Sequence, residues 1–162
     1  MNSPFVHQSV LLHETVDAIV GDTNGIYIDA TFGRGGHSRL LLSKLSTQAR
    51  VLAFDKDPEA VAVGQQLMAE DTRFTIIHDS FANLQQQLNQ QQLIGRIDGL
   101  MADLGVSSPQ LDDASRGFSF MNDGPLDMRM NPNQGQSAAE WLQTVSESEL
   151  ADVFFQYGEE RH

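Results

Sequence analysis

The feature that most constrains the fold is an alternation of short apolar runs and helix-length segments over the first 104 residues. Four runs rich in β-branched and aromatic residues predict strands at residues 25–29, 51–54, 74–77 and 97–104. The segments between them carry apolar residues at helical spacing, and Asp57 followed by Pro58 predicts a helix start. Strands that alternate with helices predict an α/β fold with a parallel sheet covered on both faces.

Each predicted strand ends at or near an aspartate, and these are Asp29, Asp55, Asp79 and Asp103. Ligands of open α/β sheets bind beyond the carboxyl ends of the strands, so Asp55 and Asp103 are candidates for a ligand site. Asp79 is interpreted as a turn or capping residue, because Asp is common at such positions. A crevice with several carboxylates favours a neutral or cationic ligand over a polyphosphate.

A glycine loop follows the first predicted strand and contains Gly33, Gly35 and Gly36. Glycines at this position let the backbone turn sharply and approach a ligand closely. Asp55 follows Gly33 at the end of the next strand, where an acid accepts hydrogen bonds from ribose hydroxyls. The combination predicts an adenosine-containing cofactor. Ser38, and not Gly, stands at the third small position of the dinucleotide fingerprint. The acidic crevice favours a cationic cofactor such as S-adenosylmethionine, and a nicotinamide-dependent oxidoreductase stays as the alternative.

The composition and the charge of the chain limit the classes of protein and of site that it can represent. The chain has 10 Lys and Arg against 22 Asp and Glu, a net charge of −12, so contacts with nucleic acid would depend on a few arginines or on residues outside the chain. The chain has no Cys, and its histidines lack metal-ligand spacing, so no metal site is predicted. No apolar run is long enough to span a membrane and no secretion signal is evident, so a cytoplasmic protein is expected.

The pattern changes after Leu104, because residues 105–136 show no clear period. Two helices are predicted to begin at Ser137 and Ser146, each of which has a Glu three residues later. We therefore expect a nucleotide-binding core at residues 1–108 and a loop with the start of a helical domain at residues 109–162. Sheets of this type usually have more than four strands, so we expect the chain to be the N-terminal portion of a larger protein.

Five longer motifs carry a family resemblance. They are DATFGRGGHS at 29–38, DLGVSSPQLD at 103–112, RGFSF at 116–120, DGPLDMRM at 123–130 and YGEE at 157–160. With these motifs the sequence resembles, over essentially its whole length, the bacterial methyltransferases of the MraW family, which methylate a cytidine exocyclic amine in small-subunit ribosomal RNA. The resemblance implies an S-adenosylmethionine-dependent enzyme with a methyltransferase-type Rossmann core and an inserted helical, RNA-facing domain.

The resemblance also implies roles for individual residues. The residues that the resemblance implies at the cofactor are Gly35, Gly36, His37, Asp55, Phe81, Asp103 and Gln110. The glycine loop itself adds Gly33 to this set. Candidate catalytic residues are Asp103 and, in the turn that follows it, Ser107 and Ser108. Phe81 would lie against adenine, although its spacing with Leu84 and Leu88 equally fits a residue packed in the core.

The implied partner is small-subunit ribosomal RNA or its assembly particle, with no membrane contact. The oligomeric state is left open, with a homodimer as one option. Two further alternatives remain at this point, which are a methyltransferase for another nucleic-acid substrate and a ligand-binding module without catalysis.

Overall fold

The computed structural model describes residues 9–160, which fall into two compact units, one ending at Gly105 and the other beginning at Val106. The first unit contains four parallel strands, β1 Ile26–Asp29, β2 Arg50–Asp55, β3 Phe74–His78 and β4 Gly99–Met101. The predicted α/β fold with a parallel sheet is therefore confirmed.

The predicted bounds of the fourth strand, residues 97–104, are wrong at both ends, because β4 pairs with β1 over only three residues. At its start, the Oδ2 of Asp98 accepts the N–H of Ile26 at 2.7 Å, so a side chain takes part in the pairing there. At its end the chain leaves the sheet, and Leu104 is exposed.

Helices cover both faces of the sheet. They are α1 Leu12–Ile19, α2 Gly36–Lys44, α3 Pro58–Glu70 and α4 Leu84–Gln90. Because successive side chains of a strand point to opposite faces, Tyr27 packs in one apolar cluster with residues of α1, α2 and α3. Its neighbour Ile28 packs in a second cluster that includes Leu88 of α4. Burial on both faces accounts for the nearly continuous apolar strands of the sequence.

The strand order β3-β2-β1-β4 determines where a ligand can bind. The chain runs from β1 through β2 to β3 on one side, and then returns to place β4 on the other side of β1. Parallel strands have their carboxyl ends at one edge, and the reversal of order between β1 and β4 opens a crevice at that edge. The residues just after β1, β2 and β4 therefore border one crevice.

The described part of the second unit has three α-helices, α5 Ser108–Asp112, α6 Ala138–Leu142 and α7 Glu147–Tyr157. The predicted helix starts at Ser137 and Ser146 are confirmed, since each serine accepts the backbone N–H of the Glu three residues later. The buried side chains of the described part of this unit are polar, namely Gln110, Arg116 and Asn131. Among residues 9–160, no helix has the length and hydropathy that crossing a bilayer requires.

Candidate cofactor site at the strand ends

The glycine loop and the acid of β2 are in direct contact. The N–H of Gly33 donates to Oδ2 of Asp55 at 2.8 Å, and the N–H of Asp57 donates to Oδ1 at 2.9 Å. A carboxylate offers about four acceptor positions, so Asp55 retains acceptors for the hydroxyls of a ligand. The sequence-based expectation that the glycine loop and Asp55 lie side by side agrees with this geometry.

Glycine is required in the loop for two separate reasons. Gly33 and Gly35 have φ values of +57° and +81°, in the left-handed region that side chains disfavour. In addition, a Cβ atom on Gly35 would lie 2.7 Å from Cζ of Phe32, closer than carbon atoms can approach. The loop therefore presents bare backbone beside Asp55.

Asp29 at the end of β1 is a buried carboxylate that forms no salt bridge with any residue of the range 9–160. Ser38 Oγ donates to its Oδ2 at 2.7 Å, and the N–H of Thr31 donates to its Oδ1 at 3.1 Å. Burial raises the pKa of Asp29, and burial likewise raises the pKa of Asp55. Within the described residues neither acid forms a salt bridge. A positively charged ligand would relieve the cost of their ionisation.

A cavity of about 170 Å³ opens at the carboxyl ends of β1 and β4. Its lining residues are Val10, Leu11, Thr15, Asp29, Thr31, His37, Met101, Ala102 and Asp103. Among the described residues of this lining, the acidic side chains are those of Asp29 and Asp103, and none is a Lys or Arg. This volume is below the roughly 300–1,000 Å³ of sites that enclose a whole drug-sized ligand, so the cavity suits one part of a larger molecule.

His37 connects the glycine loop to the segment that precedes α1. Its ring is buried, and its Nε2 lies 3.2 Å from the carbonyl oxygen of Val10, to which a protonated Nε2 donates. A Cβ atom on Gly36 would overlap the hydroxyl of Ser9. Leu11 has a φ of +49°, unusual for a residue with a branched side chain. The segment 9–11 therefore packs on the glycine loop at the edge of the cavity.

Phe81 lies beyond β3 in a short 3₁₀ turn, Phe81–Asn83, and its ring is 46% exposed. That exposure argues against the core-packing alternative for Phe81 and leaves an apolar face available to a ligand. Asp79 organises this turn by accepting hydrogen bonds from the side chains of Asn83 and Gln87 and from the N–H of Ser80. These bonds, those of Asn83 and Gln87 first, lower the pKa of Asp79. Its interpretation as a turn residue is confirmed.

Ser107, Ser108 and Gln110 belong to the second unit. Ser107 and Gln110 form a capping box at the start of α5, in which Gln110 Oε1 accepts the N–H of Ser107 at 2.9 Å. Gln110 is buried, and its Nε2 lies 3.3 Å from the sulfur of Met130. The Ser-x-x-Gln spacing is a capping signal that the sequence analysis did not use. The chemical roles of these three residues stay predictions.

An open parallel sheet of this order, with a glycine loop after β1 and an acid at the end of β2, defines an α/β fold of the Rossmann type. Residues 4–162 match the profile of the MraW methylase family. The chain belongs to that family.

Among curated relatives, ribosomal RNA small subunit methyltransferase H of Marinomonas sp. is 63% identical over 155 residues, which cover 96% of this chain and 49% of the relative. The protein of that name from Acinetobacter baylyi is 64% identical, with 96% and 52% covered. A solved rRNA methylase from Streptococcus thermophilus is 18% identical over 60% of this chain and 73% of that one, with a TM-score of 0.42, which is too low to support the fold. The chain spans about half the length of the curated relatives it matches.

Proposed function

We propose that this chain is the cofactor-binding half of an S-adenosylmethionine-dependent methyltransferase that acts on the exocyclic N4 amine of a cytidine in small-subunit ribosomal RNA. The observation that carries the proposal is the glycine loop held against Asp55, beside carboxylates that lack cationic partners among the described residues. The family match and the names of the relatives support the choice of ribosomal RNA as substrate.

The residues present fit this cofactor. Asp55 would accept hydrogen bonds from the two ribose hydroxyls, and the half-exposed ring of Phe81 would contact adenine. Gly33, Gly35 and Gly36 would allow the backbone to approach the adenosyl group, and the cavity lined by Asp29 and Asp103 would receive the positively charged amino-acid end.

Positioning is the main catalytic task of such a site. When bound, the cofactor would supply an electrophilic methyl group on a positively charged sulfur, and that sulfur would keep the electron pair of the broken bond as a neutral thioether. The target nitrogen forms the new bond to carbon and must then release a proton. Asp103 is exposed at the mouth of the cavity, and one of its carboxylate oxygens is our candidate acceptor for that proton. Ser107, Ser108 and Gln110 are proposed to hold the target amine.

Contacts with the RNA backbone need cations, and most of the described cations are already paired. Arg34, Arg39, Lys44, Arg73 and Arg129 form salt bridges with Asp or Glu, and Arg116 donates to the carbonyls of Arg129 and Met130. The two units have formal charges of −5 and −7. We therefore propose that phosphate contacts come mainly from residues outside 1–162.

The nicotinamide alternative is disfavoured by the cavity lining, because its described residues include the carboxylates of Asp29 and Asp103 and no Lys or Arg that could pair with the pyrophosphate of a dinucleotide. Calorimetric titration with S-adenosylmethionine and, separately, with NAD discriminates between the two cofactors. We expect saturable binding of S-adenosylmethionine alone, and binding of NAD alone would refute the proposal.

The substrate is tested with the product of the complete reading frame that contains this chain. Small-subunit particles lacking the modification are incubated with the protein and S-adenosylmethionine, and the RNA is digested to nucleosides for mass spectrometry. We expect the wild-type protein to produce N4-methylcytidine, and we expect the Asp103→Asn variant to produce much less of it. A methyl group on carbon or on another base would refute the substrate assignment, and a full rate with Asp103→Asn would remove Asp103 from catalysis.

A further inference from the structure

Thr31 makes a contact that the sequence analysis did not anticipate. Its hydroxyl oxygen accepts the backbone N–H of Asp103 at 2.7 Å, while its own N–H donates to the buried carboxylate of Asp29 at 3.1 Å. Thr31 thus joins the residues that follow β1 to those that follow β4. It also lines the cavity between these strand ends.

The contact matters because β4 is short and ends at Met101. The last backbone hydrogen bond between the two strand ends runs from the N–H of Ala30 to the carbonyl of Met101, at 2.9 Å. Beyond it, the Thr31 hydroxyl provides the next point of attachment, through a side chain. Asp103 itself is exposed, and within the described residues its carboxylate has no hydrogen bond or salt bridge. The position of that carboxylate therefore depends on the attachment of its backbone.

We propose that Thr31 is a positioning residue that holds the Asp103 carboxylate at the mouth of the cavity, where one oxygen pairs with the ammonium of the cofactor's amino-acid half. This inference rests on the proposed function. The cavity suits that half of the cofactor, since its volume is about 170 Å³ and the lining residues that the structure describes include two carboxylates and no Lys or Arg. Thr31 acts through Asp103 and contributes to affinity only for ligands that carry the amino-acid group.

The test compares two ligands in calorimetric titrations of the 162-residue chain. S-adenosylmethionine carries the amino-acid group, whereas 5′-methylthioadenosine keeps the adenosine and lacks that group. Thr31→Val preserves the shape and removes the acceptor, so we expect about 3- to 10-fold weaker binding of S-adenosylmethionine, the range of one net hydrogen bond, and unchanged binding of 5′-methylthioadenosine. Thr31→Ser retains the hydroxyl and should restore binding. Thr47→Val is the matched control, because it makes the same substitution at an exposed loop residue.

A double-mutant comparison tests whether Thr31 affects cofactor affinity through Asp103. In an Asp103→Asn background, Thr31→Val should cause no further loss of S-adenosylmethionine affinity. Wild-type affinity in Thr31→Val, an equal loss for both ligands, or no rescue by Thr31→Ser would each overturn the inference while the proposed function stands. If the wild-type chain binds neither ligand, the proposed function fails and the inference fails with it. Circular dichroism checks folding, and Thr31→Ala replaces the valine variant if that variant is unfolded.

Discussion

The acids of the two units are held in opposite ways. In the first unit, burial raises the pKa of Asp29 and Asp55, and neither acid has a salt bridge among the described residues. In the second unit, Arg129 donates two side-chain hydrogen bonds to Asp127 and lowers the pKa of that acid to about 2. The first arrangement opposes ionisation, whereas the second stabilises it.

This difference distinguishes the acids that we propose bind a ligand from an acid that stabilises its own loop. A buried carboxylate without a cation reduces stability, so stability alone does not explain why Asp29 and Asp55 are at the strand ends. Perturbed acids in a crevice are typical of functional sites. Asp127, by contrast, is neutralised within its own loop and adds order there. Mutations of the acids and of their hydrogen-bond partners in the two units test this distinction.

The largest expected effect is the loss of cofactor affinity in Asp55→Ala. Removing hydrogen bonds to a charged group costs about 1.5–3 kcal/mol, or roughly 10- to 150-fold in the dissociation constant for S-adenosylmethionine. Calorimetric titration measures the change. Asp127→Ala is the matched control in the second unit and should leave the affinity unchanged. Equal losses in the two variants would show that the distinction between the acids is incorrect.

A smaller effect is expected on the free energy of unfolding when the buried Asp29 loses the hydrogen bond that Ser38 donates to it. Ser38→Ala removes the hydroxyl that donates to Asp29 and should lower the free energy of unfolding by about 1–3 kcal/mol, as measured by urea denaturation. Ser43→Ala, in the same helix, removes an exposed hydroxyl that donates to the carbonyl of Leu40, and should change stability by less than about 0.5 kcal/mol. If both variants lose the same amount, the buried pair has no special role.

The smallest expected effect is a difference in pH dependence. The pKa of Asp29 is raised in the folded chain, so its stabilising contribution is present below the ordinary value of 3.8 and is lost as pH rises through the folded value. The pKa of Asp127 is lowered to about 2, so its contribution is present above 3.8 and is lost as pH falls through about 2. The two windows lie on opposite sides of pH 3.8.

Thermal unfolding of two variants resolves these windows. Relative to the wild type, Asp29→Asn should gain stability as pH rises above 3.8. Asp127→Asn should lose stability, relative to the wild type, as pH rises from about 2 to 3.8. Fluorescence of Trp141, the only tryptophan of the chain, reports on the second unit for the latter variant. Parallel pH profiles for the two variants would contradict the assigned pKa directions.

Much of the fold could be predicted because its signals are local. Alternating strands and helices, together with the Asp57 cap, identify the α/β class directly, and the apolar strands predict burial on both faces. The length of β4 could not be predicted, because side chains of Asp98 and Thr31 take part in the hydrogen bonding at its two ends. Each of these two hydrogen bonds joins residues that are 72 positions apart in the chain, so no local pattern indicates it.

The candidate site was predictable only in part. The glycine loop and Asp55 were identified from spacing, since a strand-end acid and a glycine loop on adjacent strands must meet. The contact between Ser38 and Asp29 was missed, because a serine near the start of a helix has no distinctive pattern. The capping role of Gln110 was missed, although its spacing of three residues from Ser107 is that of a capping box.

The central claim is that an adenosyl cofactor binds between the glycine loop, Asp55 and the acidic cavity beside β1 and β4. A crystal structure of this chain with S-adenosylhomocysteine tests it most directly. We expect the ribose hydroxyls within hydrogen-bond distance, about 3 Å, of the Asp55 carboxylate, and the amino-acid group in the cavity lined by Asp29, Thr31 and Asp103. A ligand bound elsewhere, with Asp55 contacting only Gly33 and Asp57, would contradict the claim.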